Sequence, residues 1–129
     1  MDPDRLRSIE LFSTMDDADL RRIATFATET SASEGQVLMR QGDFATDLVG
    51  IEEGTAEVRR DDKAIATLSD GDVFGEMGLV DKVKRSASVV STSPMRLVKL
   101  THWDVRRLPE ETRRRLEDVV KERRAAEPS

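Results

Sequence analysis

The stretch Asp72-Val73-Phe74-Gly75-Glu76-Met77-Gly78-Leu79-Val80, followed by Lys84-Arg85-Ser86-Ala87-Ser88-Val89, decides how this chain is read. Gly75 marks a turn, and the residues after it have the length of a very short helix. A β-like segment then opens at the lone arginine. A helix N-terminus presents unpaired N–H groups and the positive end of the backbone dipole, a combination suited to phosphate. Arg85 adds a planar, permanently charged fork that matches phosphate oxygens. Glu76 is the odd member, because a carboxylate beside an anion repels it unless it binds something else. A sugar hydroxyl is the natural donor to it. Phosphate, sugar and a base to follow make a nucleotide.

Outward from this stretch the chain is a series of short segments separated by turn residues. Upstream, Gly35 precedes Gln36–Arg40, Gly42-Asp43 precedes Leu48–Ile51, Gly54 precedes Thr55–Arg59, and Asp61-Asp62 precedes Ala64–Leu68. Downstream, segments near Ser86–Ser91 and Met95–Leu100 are joined by Ser93-Pro94. Segments so short, punctuated so regularly by Gly and Asp, predict an antiparallel sandwich or barrel. Helices flank it. Asp2-Pro3 reads as an N-cap with proline at the first helical position, and that helix is expected to run to about Glu10. Asp16 caps a second helix, with Leu20, Ile23, Ala24 and Phe26 as its buried stripe and Arg21 and Arg22 in water. Thr101 reads as a further N-cap with Asp104 as its capping-box partner. A last helix from about Glu110 to Arg124 has only Leu116, Val119 and Val120 as apolar positions. The expected class is α+β: N-terminal helices over 1–27, an antiparallel, jelly-roll-like β-roll over 28–100, and C-terminal helices over 101–125, in one domain of 129 residues.

Composition narrows the function. There is no cysteine and one histidine, His102. Disulfides, thiolate metal sites and multi-histidine metal sites are therefore excluded. The start lacks the basic and apolar regions of a signal peptide, and no apolar run is long enough to span a membrane, so a cytoplasmic location is expected. The net charge of −5 is uneven: residues 96–129 carry 10 basic and 7 acidic side chains, residues 1–95 carry 11 and 19. An acidic body argues against nucleic acid as the main partner. No nucleophile, base and orienter share a recognisable spacing, so no enzyme is expected. His102 reads as structural, and Trp103 as packing at the end of the roll.

The order of parts, with Leu11-Phe12, Gly35, Gly42-Asp43, Gly54, Phe74-Gly75-Glu76-Met77-Gly78-Leu79 and Arg85-Ser86-Ala87-Ser88-Val89, resembles the cyclic nucleotide-binding domain. That domain is shared by bacterial catabolite activator proteins, cyclic-nucleotide-dependent kinases and cyclic-nucleotide-gated channels. The resemblance covers roughly Leu11 to Arg124 and identifies the opening stretch as a phosphate-binding cassette with a short helix. It implies that Glu76 accepts from the ribose 2′-hydroxyl and that Arg85 pairs with the cyclic phosphate. It also implies that backbone N–H groups near Gly75, Met77 and Gly78 point at phosphate and ribose. Ser86 falls where a hydroxyl reaches the phosphate or the 2-amino group of guanine. Ile65 falls where an apolar residue meets the base, and on its own reads as a core position. The last helix falls where the family finds a lid. The chain departs from the family at Val80-Asp81-Lys82-Val83-Lys84, which lacks the usual glycine and the proline before the arginine. Lys82 and Lys84 are expected to add positive potential there.

The resemblance implies a receptor or regulatory module for cyclic AMP or cyclic GMP with no other cofactor, expected either to stand alone or to be an excised piece of a larger chain. It would signal to an unidentified protein partner through its C-terminal helix, as a monomer or weak homodimer joined by Leu116, Val119 and Val120. The alternative is a degenerate roll, with Arg85 paired to Glu76 or Asp81, acting as a ligand-free interaction module.

Overall fold

The computed structural model describes residues 1–43, 47–75 and 84–126, with side chains through residue 123. Its N-terminal elements begin where their caps dictate. Helix α1 (Pro3–Leu6) opens on Asp2, whose side chain accepts from the Asp4 N–H at 2.9 Å. It stops four residues short of the expected end, and Glu10–Phe12 form a separate 3-10 turn. The reason is competition for a donor. A continuous helix needs the Glu10 N–H for the Leu6 carbonyl, whereas here it donates to the Gly71 carbonyl at 2.9 Å. Helix α2 (Asp17–Phe26) is capped by Asp16, which accepts from the Asp19 N–H at 2.9 Å. Its Leu20, Ile23 and Ala24 are buried, while Arg21 and Arg22 are exposed.

Among the described residues eight strands follow: β1 (Thr28–Ala32), β2 (Val37–Met39), β3 (Asp47–Glu53), β4 (Ala56–Arg60), β5 (Lys63–Leu68), β6 (Val73–Phe74), β7 (Ser88–Ser91) and β8 (Met95–Thr101). They form two four-stranded sheets, β1-β8-β3-β6 and β2-β7-β4-β5, with antiparallel pairing throughout. This is the expected sandwich with one addition. Strand β1 is not legible in its sequence, Thr-Glu-Thr-Ser-Ala, because it lies at a sheet edge and buries only Ala32.

Alternation along β3 divides the core in two. Val49 and Ile51 join Ala32, Ala56, Leu68, Phe74, Val89 and Leu97 between the sheets. Leu48 points the other way and joins Val73, Val98 and Leu100 under the helices, with Leu6, Ile9, Phe12 and Ile23. The first sheet is thus covered on both faces, the second on one. Arg5 fastens α1 to this frame, donating to Glu52 at 2.6 Å and to Glu29 at 2.5 Å.

The C-terminal end is set by Thr101. Its hydroxyl accepts from the Asp104 N–H at 3.2 Å, and the Asp104 carboxylate accepts from the Thr101 N–H at 3.0 Å, which starts α3 (His102–Val105). Thr101→Ala is expected to cost about 1 kcal/mol, the usual effect of losing a cap, read as a lower urea midpoint with unchanged slope. Trp103 does not pack at the end of the roll. It is 60% exposed, with the Arg106 guanidinium 5.0 Å from its ring centre. Helix α4 (Glu110–Ala126) follows Pro109. Leu116 is buried in the cluster that holds Leu6, Ile9 and Leu11, Val119 packs against that cluster, and Val120 is buried as well. The stripe expected to serve a dimer seam is therefore occupied by the chain's own core.

Candidate functional site

Arg85 is fixed from both ends. Its N–H donates to the Asp43 carbonyl at 2.7 Å, and its carbonyl accepts from the Gly42 N–H at 2.9 Å. Its guanidinium bridges the second sheet to the first. Nη1 donates to the Gly75 carbonyl at 3.2 Å and lies 2.9 Å from the Met39 sulfur, and Nη2 donates to the Asp47 carbonyl at 3.0 Å. Gly75 can approach so closely because it has no Cβ and holds a φ of +87°. A planar fork with several partners keeps one orientation, which a flexible point charge does not.

The half-buried Arg85 lines a cavity of about 240 Å³ together with Met39, Asp47, Val49, Phe74 and Lys99. Its floor is the apolar interior between the sheets. Arg40 and Asp43 stand on its exposed side. Three cations and two carboxylates therefore line it among the described residues, a balance that favours an anion. A second cavity, of about 220 Å³, lies between α4 and the 3-10 turn. Here Arg115 donates to the Glu10 and Leu11 carbonyls and to Thr14, and Arg123 donates to the Val73 carbonyl at 2.6 Å. None of the described α4 side chains lines the Arg85 cavity. The helix expected as a lid rests instead against the N-terminal segment.

Of the residues singled out from the sequence, Gly75 and Arg85 meet directly. Glu76, Met77 and Gly78, the cassette helix, Asp81 and Lys82 lie outside the described residues. Ser86 is exposed and does not line the cavity, and its carbonyl accepts from Arg60 at 3.1 Å. Lys84 is exposed. Ile65 is not core. It is 41% exposed on the edge strand β5, and the register there runs from Val58↔Ala66 to Arg59↔Ala64, leaving Ile65 as the extra residue of a bulge.

Sequence reading missed Met39, Asp47 and Lys99. For Lys99 a signal existed. Met95 and Leu97 share the inner cluster, and residues two apart on a strand share a face, so a lysine at 99 is an inward charge. Val98 and Leu100, buried on the other face, hid that alternation.

A β-roll with an arginine clamped at the mouth of a cavity of net positive lining is a frame suited to a small anion. The chain belongs to the cyclic nucleotide-binding domain family, whose model matches residues 29–112. It is 33% identical over 105 residues to the cAMP-dependent protein kinase type II regulatory subunit of Drosophila melanogaster, covering 78% of this chain and 27% of that subunit. The solved structure of cAMP-bound PfPKA-R has a TM-score of 0.89 at 22% identity, covering 96% of this chain and 44% of that one. The regulatory subunit of a cAMP-independent protein kinase A from Trypanosoma brucei has a TM-score of 0.79 at 24% identity, covering 97% and 44%. At such identities both structures bear on the fold alone. The chain spans between about a tenth and a quarter of the length of the curated relatives it matches. No helix among the described residues is long and apolar enough to cross a membrane. No group of three or more His, Cys, Asp or Glu suited to a metal ion occurs among them.

Proposed function

We propose that this chain is a cyclic nucleotide receptor module that takes cyclic AMP or cyclic GMP in the Arg85 cavity and signals through its last helix. The observation that carries the reading is the placement of the Arg85 guanidinium against the Gly75 carbonyl, where the cassette begins. In this reading Arg85 pairs with the cyclic phosphate. Glu76 holds the ribose, the amides near Gly75, Met77 and Gly78 complete the phosphate and ribose contacts, and Ser86 and Ile65 close on the ligand from its exposed side. The site binds and does not catalyse. The relatives' regulatory role supports a protein partner, and the acidic body disfavours a nucleic acid.

The route to the helix is short. Arg123 on α4 donates to the Val73 carbonyl, two residues before Gly75. A ligand that draws the cassette toward Arg85 loads this contact, and it shifts α4 only by as much as its affinity differs between the two helix positions. Titration with the two cyclic nucleotides side by side tests the reading. At a hundred times its Kd a bound nucleotide adds about 2.7 kcal/mol of stability and raises the melting temperature. A melting temperature unmoved by either nucleotide leaves the second reading, a ligand-free interaction module. That reading draws on α4, whose described side chains stay clear of the cavity.

A further inference from the structure

We propose that Lys99 is a second cation for the bound anion, supplying a point charge across the cavity from the Arg85 fork. This rests on the proposed reading of that cavity as a nucleotide phosphate site. One row runs straight across the first sheet: Thr28 pairs with Lys99, Lys99 with Val49, and Val49 with Phe74. Neighbouring strands lie roughly 4.8 Å apart, so the Lys99 backbone is two strands, about 10 Å, from that of Phe74. Phe74 precedes Gly75, whose carbonyl accepts from Arg85. The long stem of Lys99 thus starts beside Val49 and lies on the wall of the same cavity.

Two further observations point to a ligand. Lys99 is half-buried on a strand whose inward neighbours Met95 and Leu97 are core residues. Among the described residues its ammonium has neither a hydrogen bond nor an ion pair. A cation on a cavity wall with no protein partner is left available to an anion. Asp47 and Asp43 line the cavity yet leave the ammonium unpaired. Of the described lining side chains, Arg40, Arg85 and Lys99 exceed the two carboxylates by one positive charge. Removing Lys99 takes that balance to zero. The ordinary explanation is a lysine that lays its stem on apolar surface and sends its head to water. That role predicts no effect on an anion.

Lys99→Met keeps the stem's bulk and removes the charge. The test measures affinity for cyclic AMP and cyclic GMP, its dependence on ionic strength, and thermal protection by inorganic phosphate, in the parent protein and the variant. The variant is expected to bind nucleotide about tenfold more weakly, the effect of one charge-assisted contact. Its affinity should depend less on salt, phosphate should protect it less, and its empty form should melt no lower than the parent's. Lys99→Arg should bind between the two. Where Lys99→Met lowers the melting temperature of the empty protein, Lys99→Gln is read in its place. Unchanged nucleotide affinity and salt dependence overturn the assignment of Lys99 while the receptor reading stands. Protection by phosphate alone, lost in the variant, overturns the receptor reading and keeps Lys99 as an anion contact. A parent protein that responds to neither overturns both.

Discussion

Arg85→Ala is expected to lower cyclic nucleotide affinity by about 3 kcal/mol, on the order of a hundredfold in Kd, measured by calorimetric titration. A guanidinium fork gives a phosphate two charge-assisted hydrogen bonds, each worth about 1.5 kcal/mol or more. The structure makes this loss hard to recover. The backbone of Arg85 is pinned to Gly42 and Asp43, so no neighbouring cation can slide into its place. The apo protein loses less, because the deleted donors serve the Gly75 and Asp47 carbonyls and the Met39 sulfur. These bonds run to uncharged acceptors, and water can take the place of the guanidinium once it is gone. A large drop in affinity with a small drop in melting temperature is the expected signature. Arg85→Lys separates charge from shape. A lysine keeps the charge but cannot bridge two carbonyls with a planar fork, so most of the affinity should still be lost. Near-parental binding by Arg85→Ala removes the residue from the site.

The elements that sequence made legible are those whose signals are local. Asp2, Asp16 and Thr101 each cap the helix their side chain implies, because a cap needs only an N–H two or three residues away. The strands from β2 to β8 follow their turn residues for the same reason. Contacts distant in sequence governed the features that stayed hidden. The Glu10 amide leaves the first helix for Gly71, sixty-one residues later. Leu116 and Val119 are among only three apolar positions on the last helix, yet they join a cluster begun at Leu6. Ile65 read as a core position, yet β5 is an edge strand whose residues from Lys63 to Thr67 are exposed on both faces. At the site, Arg85 and Gly75 were legible through their spacing. Asp47 was not, because it meets Arg85 through its backbone carbonyl, for which any residue type serves.

Gly75→Ala is expected to disable the site by moving its frame, at a greater cost in stability than its one added carbon suggests. At a φ of +87° an alanine is strained by about 1–2 kcal/mol. Its Cβ would also stand 2.7 Å from Arg85 Nη1 and 2.7 Å from the Asp47 carbonyl oxygen. The two collisions differ. A guanidinium at the end of a flexible chain can swing aside, which relieves the first contact but abandons the Gly75 carbonyl. The Asp47 oxygen belongs to β3, which pairs with β8 on one side and β6 on the other and cannot retreat cheaply. Strain and displacement together should reach roughly 3 kcal/mol, about 10 °C in melting temperature for a chain of this size. Cyclic nucleotide affinity should fall as well, because Arg85 loses its orienting partner. Gly35→Ala supplies the control. Its φ is +81°, and no atom lies within 4 Å of the added Cβ. It carries the backbone strain without the collision, so it should melt a few degrees lower and bind as the parent does. If the two variants lose equal stability, the close approach of Gly75, Asp47 and Arg85 contributes nothing, and the clamp around the phosphate site is wrong.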